Sequence, residues 1–336
     1  MNKMTLLGID IGKHSFHLHG QDAKGHQVLR KKTNRGQLLS TLARLPACTV
    51  VMESCGGAHW LARQVGALGH EVKLIASQNV KPFVKGNKSD FINAEAICEA
   101  ASRPAMHFCS IKTAEQQTLL ALHRVRDSLI GHRTVATNQI HGFLLEFGIS
   151  SPIGATALHR VPALLDDAQH TVPLCLKGVV MRLHHQIQLL NDEIKDIESD
   201  LKQQLKDDAG SRLRSIPGIG PITASAVLAD VGVELSKWTR FCRFARAGAE
   251  AIFDGRKDSA TGDQQARDKH IRQLLVQGAR SMQHIDKRED ALGPWVRELL
   301  TRRHSNVVAC ALANNLARIV WAVLAKGGQY APHPNA

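Results

Sequence analysis

Three acidic residues that are far apart in the chain occupy positions where carboxylates can hold divalent cations. Asp10 lies in the apolar segment Gly8-Ile-Asp-Ile-Gly, Glu53 ends the run Thr49-Val-Val-Met-Glu, and Asp90 precedes a helix-forming segment. A carboxylate in a core needs a cation or a polar cleft, and strand ends open into a crevice at the sheet edge. Phosphodiester cleavage can use two cations about 4 Å apart that are held by converging carboxylates. The three residues therefore predict a site for Mg²⁺, which prefers oxygen ligands.

Each carboxylate also has a structural explanation when it is taken alone. Ser89 or Asp90 could cap the helix that follows, and Glu53 could be a solvated strand end. The order of the three residues is more informative: an Asp on the first strand, a Glu on a later strand and an Asp at a helix start. A ribonuclease-H-like nuclease needs this arrangement, because its two cations require several carboxylates at one place.

The segments around these residues predict a mixed α/β sheet followed by long helices. Residues 1–80 alternate β-rich runs with turns and then continue as strand, helix and strand, which indicates a mixed sheet with helices packed on it. The pattern turns helical from about residue 90, and Thr113-Ala-Glu-Gln is a capping box that begins a helix running to about Phe147. We predict three domains, comprising residues 1–108, 109–208 and 209–336.

A second long helix carries an apolar heptad seam. The members of the seam are separated alternately by four and three residues, which is the a/d pattern of a coiled coil. They are Leu176, Val180, Leu183, Ile187, Leu190, Ile194, Ile197 and Leu201. The helix either packs on the preceding one or pairs with another protomer. We expect a homo-oligomer, a dimer or tetramer, joined through the coiled coil of residues 176–201.

The composition predicts a soluble protein that binds a polyanion. The chain has 43 Lys and Arg residues against 30 Asp and Glu, a formal net charge of +13, and cations that neutralise phosphates release counterions. An anionic membrane would require a basic amphipathic anchor or a long apolar span, and stretches such as Val307–Ala313 are too short to cross a bilayer. The seven cysteines have no CxxC spacing, which argues against disulfides and zinc. We expect a cytoplasmic, nucleoid-associated protein that binds DNA and no membrane.

Four segments together resemble the DEDD transposases of bacterial insertion sequences, a family that includes the pilin-gene invertases. They are Gly8-Ile-Asp-Ile-Gly-Lys, Met52-Glu-Ser, Lys88-Ser-Asp-Phe-Ile-Asn-Ala-Glu-Ala and Ser215-Ile-Pro-Gly-Ile-Gly-Pro-Ile-Thr-Ala. The match runs in register over nearly the full length. The resemblance implies an N-terminal fold like that of the Holliday-junction resolvase RuvC and action as a multimer on two DNA segments. Many members of the family are guided by a structured bridge RNA, so the resemblance also implies a bridge RNA as a partner.

The resemblance implies two further catalytic residues, and the chain departs from the family pattern at both. Family members carry a fourth Asp three residues after the third, where this chain has Asn93, whose amide binds a cation more weakly than a carboxylate. Glu95 is off that helix face and is a poor substitute. The nucleophilic serine of the family corresponds best to Ser259, although Ala260 stands where a second serine often occurs. The implied metal ligands are Asp10, Glu53, Asp90 and Asn93.

Two basic regions are predicted to hold nucleic acid. The glycine-rich segment 216–226 resembles a helix–hairpin–helix element, in which backbone amides and a helix N-terminus face a phosphate. A tight turn between core helices is the alternative. Cations on the long helix form the second region, for which a solvated face is the alternative. The predicted DNA-contacting residues are Gly218, Gly220, Thr223, Arg212, Arg214, Arg124, Arg126 and Arg133. Aromatic residues are scarce, so base stacking is not expected, and a guide RNA would supply recognition of sequence by pairing.

The sequence thus predicts a transposase or site-specific recombinase that cuts and rejoins DNA with Mg²⁺ and a serine nucleophile. Two alternatives remain open. One is a catalytically impaired, nucleic-acid-binding relative, which Asn93 and the altered serine loop favour. The other is a RuvC-like junction nuclease that uses the same carboxylates with water as the nucleophile, and it would not need Ser259.

Overall fold

The protein is described from a computed structural model of the 336-residue chain. The described residues are 4–85, 89–150, 158–167, 172–205, 208–231, 262–283 and 292–331. They fall into two compact units. The first unit contains the described residues up to 117 together with 262–270, and the second contains 118–231 and 271–331.

A six-stranded mixed sheet is the centre of the first unit. Its strands are β1 Met4–Ile11, β2 Ser15–Asp22, β3 Gln27–Asn34, β4 Thr49–Glu53, β5 Glu71–Ile75 and β6 Phe108–Cys109. They lie in the order β3-β2-β1-β4-β5-β6. Strands β1, β4 and β5 are parallel, whereas β2, β3 and β6 run antiparallel to their neighbours. The prediction of a mixed α/β sheet followed by helices is confirmed.

Helices cover both faces of this sheet. They are α1 Arg35–Ala43, α2 Ala58–Ala67, α3 Ser77–Val80 and α4 Asp90–Ala101, with a 3-10 turn at Lys81–Phe83. One face packs on α1 and α2 through Leu7, Ile9 and Phe16. The other face packs on α4 through Val51 and Ile75. Burial on both sides explains why β4 is an almost wholly apolar run.

Gly8 allows α4 to approach the first strand closely. A Cβ atom at Gly8 would lie 2.3 Å from the carbonyl oxygen of Ala94 and 2.8 Å from Sγ of Cys98. Side chains alternate along a strand, so positions 8 and 10 face the same side of the sheet. The backbone contact at Gly8 therefore helps to set the distance between the start of α4 and Asp10.

Two long helices follow the sheet, with a short helix between them, and a capping box marks the start of the first. They are α5 Ala114–Leu145, α6 Val161–Asp166 and α7 Leu174–Gln203. The capping box at the start of α5 is confirmed, because the amide of Gln116 donates to Oγ1 of Thr113 at 3.2 Å and the amide of Thr113 donates to Oε1 of Gln116 at 3.1 Å.

Helices α5 and α7 pack against each other in antiparallel directions. Arg133 donates to Oδ1 of Asn191 at 2.9 Å, and Arg126, which is earlier in α5, pairs with Glu198, which is later in α7. Five seam residues are buried, and a further three are partly buried. The seam is therefore covered within the chain by α5 and its neighbours, which is the first of the two predicted arrangements, and the joining of protomers through residues 176–201 stays a prediction.

The remaining helices form a second core. They are α8 Asp208–Arg214, α9 Pro221–Val231, α10 Gly262–Gln283, α11 Leu292–Arg302 and α12 Ser305–Lys326. The turn between α8 and α9 buries Ile216 and Ile219 in this core. Gly218 has a φ of +81°. A Cβ atom at Gly278 would lie 2.1 Å from the carbonyl oxygen of Gly218. This turn is thus held by a glycine-to-glycine backbone contact with α10.

Helix α12 is long and apolar, and it packs in the second core. By length and composition alone it is long enough to cross a membrane, so the prediction from Val307–Ala313 underestimated the apolar segment. However, 56% of its most apolar stretch is buried within the protein. Leu312, Leu316 and Val320 are fully buried in the second core, and this packing accounts for the apolar composition.

Candidate functional site

The start of α4 brings two of the predicted ligands to the sheet. The hydroxyl of Ser89 accepts a hydrogen bond from the amide of Ile92 at 3.3 Å, so Ser89 is the helix cap. Asp90 is therefore not needed as a cap, and its carboxylate is available for another role. Asn93 follows three residues later, on the same face of the helix.

Asp10 is at the centre of the cluster. Burial raises the pKa of its carboxyl group, and the negative charges of Asp90 and Glu53 raise it further. A hydrogen bond from the side chain of Asn93 and the charge of His17 lower it. Such interactions weaken with distance, so these side chains lie around one carboxylate. The structure brings together the four residues that the sequence singled out as metal ligands.

The sheet register explains the position of Glu53. Strands β1 and β4 are parallel and pair Ile9 with Met52, so the next residues along each strand, Asp10 and Glu53, are neighbours. Both lie towards the carboxyl ends of their strands, where side chains can enter a crevice.

His17 belongs to the same cluster and was not singled out from the sequence. It pairs with Asp10 across β1 and β2 and is only 4% exposed. Its Nδ1 lies 3.5 Å from Oδ2 of Asp90. Asp10, His17 and Asp90 each offer one ligand atom, and these three atoms lie within 4.8 Å of one another. The hairpin register could have indicated His17, but only if the exact length of the turn had been known.

Comparisons with known proteins agree on the kind of protein that contains this site. Residues 7–149 match the DEDD transposase family of the IS110 type, and residues 210–292 match the IS116/IS110/IS902 transposase family. The transposase for insertion sequence element IS1328 of Yersinia enterocolitica is 48% identical over 97% of this chain and 98% of its own length. The chain belongs to the IS116/IS110/IS902 transposase family.

Two further relatives extend the match over the same length. A probable family 20 transposase of Pseudomonas aeruginosa is 40% identical over 98% of this chain and 99% of its own length. The transposase for insertion sequence element IS1111A of Coxiella burnetii is 36% identical over 98% of this chain and 92% of its own length. Family membership makes this protein a transposase, an enzyme that cuts and rejoins DNA.

The donor set of this transposase fits a divalent cation. The Asp10 carboxylate is surrounded by two further carboxylates and the side-chain amide of Asn93, and a positive ion at this place would relieve the burial and the repulsion that raise the pKa of Asp10. Oxygen donors of this kind are the ligands of hard cations, and the ring nitrogen of His17 adds a softer donor.

The predicted hairpin of this transposase is partly covered. Gly218 packs on α10, and Thr223 is only 6% exposed. Gly220 is exposed, and a Cβ atom there would meet nothing within 4 Å. The segment therefore packs on the core at Gly218 and Thr223, whereas Gly220 is exposed.

Several predicted DNA-contacting arginines are engaged within the chain. Arg126 and Arg133 make the contacts with α7 described above. Arg212 is 9% exposed and pairs with Asp208 at 3.0 Å. The exposed members of the set are Arg124 and Arg214. Ser259 lies outside the described residues.

Proposed function

We propose that this transposase cuts DNA at the ends of its insertion sequence with Mg²⁺ held by Asp10, Glu53, Asp90 and Asn93. The observation that supports the proposal is the gathering of the other three side chains around the Asp10 carboxylate. Bound Mg²⁺ would stabilise negative charge on the reacting phosphate and promote deprotonation of the attacking hydroxyl. The carboxylates hold the ion in place. Asn93 contributes an oxygen and no charge, so it weakens the site relative to a fourth Asp.

The proposal includes a RuvC-like, ribonuclease-H-like fold for residues 1–108. The sheet order supports it, since β1 lies between an antiparallel β2 and a parallel β4 and carries the first carboxylate. Residues 109–208 would then be the helical connection, and 209–336 the C-terminal transposase domain. Both long helices of the connection, α5 and α7, fall within 109–208.

We propose Ser259 as the nucleophile on the basis of its family loop. In this step the serine Oγ–P bond forms while one P–O bond to deoxyribose breaks. The serine hydroxyl loses its proton, and the leaving sugar oxygen takes one up. The serine is activated only when a base or a cation lowers the barrier to that proton loss.

The proposed partners are DNA, a bridge RNA and further copies of the chain. The net charge of +13 supports polyanion binding, and Arg124, Arg214 and Gly220 are the exposed candidates for phosphate contacts. Contacts between copies would involve the coiled coil of residues 176–201. We place this activity in the cytoplasm, on the nucleoid.

The test is a cleavage and strand-transfer assay. The protein is incubated with the DNA that flanks its gene, RNA transcribed from that flanking DNA, and Mg²⁺. Covalent protein–DNA adducts that disappear in Ser259→Ala and in Asp10→Ala support the recombinase. Cuts that survive Ser259→Ala but not Asp10→Ala indicate a junction nuclease, and binding without cuts indicates the impaired relative. Asp192→Ala is the matched control, because this carboxylate is 69% exposed on α7.

A variant at position 93 tests the weak point of the site. Asn93→Asp would supply the fourth carboxylate on the same helix face. We expect a lower Mg²⁺ concentration at half-maximal cleavage. An unchanged Mg²⁺ dependence would contradict the role assigned to Asn93.

A further inference from the structure

The imidazole of His17 is buried and directed into the carboxylate cluster. It is 4% exposed, whereas the Asp90 side chain that it faces is 63% exposed. A histidine in this position places a nitrogen among oxygen donors, and its Nδ1 lies 3.5 Å from Oδ2 of Asp90. A group this deeply buried needs a polar or charged partner, and the cluster provides it.

The surroundings of His17 hold its ring in one orientation. The ring of Phe91 meets it edge-on, with 4.6 Å between ring centroids and an angle of 73° between planes. The guanidinium of Arg30 stacks over Phe91 at 4.4 Å. Packing that fixes a side chain before an ion arrives lowers the cost of binding, as a ligand of a metal centre requires.

The donor count supports a role beyond packing. Position 93 contributes an uncharged amide, so the centre has three carboxylates and one additional donor nearby. Ligand atoms of Asp10, His17 and Asp90 already lie within 4.8 Å of one another, close enough to converge on a single ion. Imidazole nitrogen is a ligand for first-row transition ions, whereas Mg²⁺ favours oxygen in strict octahedral geometry.

We propose that Nδ1 of His17 is a direct ligand in the carboxylate centre and that the centre therefore prefers a divalent first-row transition ion, such as Mn²⁺, over Mg²⁺. This inference rests on the proposed metal-binding function of the cluster and changes the identity of its preferred ion. His17 takes the place of the ligand that Asn93 provides only weakly.

The chain provides a matched control for this histidine. His19 is on the same strand and the same face, two residues further along, and is also buried at 5% exposure. Its Nε2 lies 3.2 Å from the side chain of Gln21, so it has a partner outside the cluster. His17→Gln and His19→Gln thus remove equivalent buried rings, of which only the first faces Asp90.

The test is pulsed electron paramagnetic resonance on the full chain loaded with substoichiometric Mn²⁺. We expect a directly bonded ¹⁴N coupling in the wild type and in His19→Gln, and its loss in His17→Gln. Incorporation of ¹⁵N-histidine should replace the ¹⁴N coupling of the wild type by a ¹⁵N coupling. This result identifies the ligand as a histidine without any substitution. In competition titrations, His17→Gln should lower the Mn²⁺ affinity about 10–100-fold and the Mg²⁺ affinity by less.

The contrary results are distinct. Mn²⁺ that binds to the wild type without a histidine nitrogen coupling overturns the inference and leaves the carboxylate centre in place, with His17 as a hydrogen-bond partner of Asp90. A coupling that persists in His17→Gln also overturns it. Failure of the wild type to bind either ion, with no difference from Asp10→Asn, overturns the proposed function as well.

Discussion

Substitution of Gly8 by alanine tests how the fold sets the geometry of the site. The new Cβ atom would lie 2.3 Å from the carbonyl oxygen of Ala94, and such contacts are essentially never shorter than 3.0 Å. The helix α4 or the strand β1 must therefore move by at least the difference, 0.7 Å. The obstacle is backbone and cannot rotate away. Overpacking of this kind costs about 1–3 kcal/mol.

The displacement should also be measurable as lost metal binding. Ligands must be held within about 0.5 Å of their productive positions, and α4 carries Asp90 and Asn93. We expect Gly8→Ala to lower the affinity for Mn²⁺ on the order of 10–100-fold, as disturbed outer contacts of metal sites do. Isothermal titration measures this affinity. Calorimetric unfolding should show a decrease in Tm of roughly 4–12 °C for a unit of this size.

A glycine elsewhere in the same unit provides the control. Gly66 lies inside α2, and a Cβ atom there would meet nothing within 4 Å. Gly66→Ala should therefore keep the metal affinity and raise stability by up to about 1 kcal/mol, since alanine favours a helix. Wild-type affinity and wild-type Tm in Gly8→Ala would refute the close packing of α4 on β1. A lowered Tm with unchanged affinity would refute only its influence on the site.

Three further predictions concern stability. Because the folded protein raises the pKa of Asp10, folding becomes less favourable as pH rises through the carboxyl range. Asp10→Asn should therefore raise the Tm of the metal-free protein at pH 7 more than at pH 4. Calorimetry in the presence of a chelator measures this, and an equal or lower Tm in the variant would disprove it. Gly278→Ala should destabilise the second unit by about 1–3 kcal/mol, because the new Cβ atom would lie 2.1 Å from the carbonyl oxygen of Gly218. Denaturant unfolding measures this change, and an unchanged free energy of unfolding would contradict it. Arg126 and Glu198 pair at 2.8 Å, and both side chains are mostly buried. A double-mutant cycle with Arg126→Met and Glu198→Gln should therefore give a coupling free energy of about 1 kcal/mol. Additive effects on the free energy of unfolding would show that the pair is not coupled.

Local signals in the sequence predicted much of the first unit. The apolar runs predicted β1 and β4, and the capping box predicted the first residues of α5. These features depend on neighbours within a few positions of the chain. Asp10, Glu53 and Asp90 could be placed in one cluster because each marks a strand or a helix start, and the structure brings them together.

Features that depend on distant partners could not be predicted in the same way. The position of His17 beside Asp10 follows from the register of β1 and β2, in which a change of one residue would turn its side chain to the other face. The heptad seam has the same apolar pattern whether its partner is α5 or a second chain. The partner of Arg126 is 72 residues away, so a run of cations in the sequence gave no sign of it.

The antiparallel pair of α5 and α7 also makes a rigid spacer. Helix α7 has 30 residues and at 1.5 Å per residue extends about 45 Å. One turn of duplex DNA is about 34 Å long. Since the seam fixes α7 to α5 over most of this distance, a straight duplex laid along the pair would meet its two ends at points more than one helical turn apart.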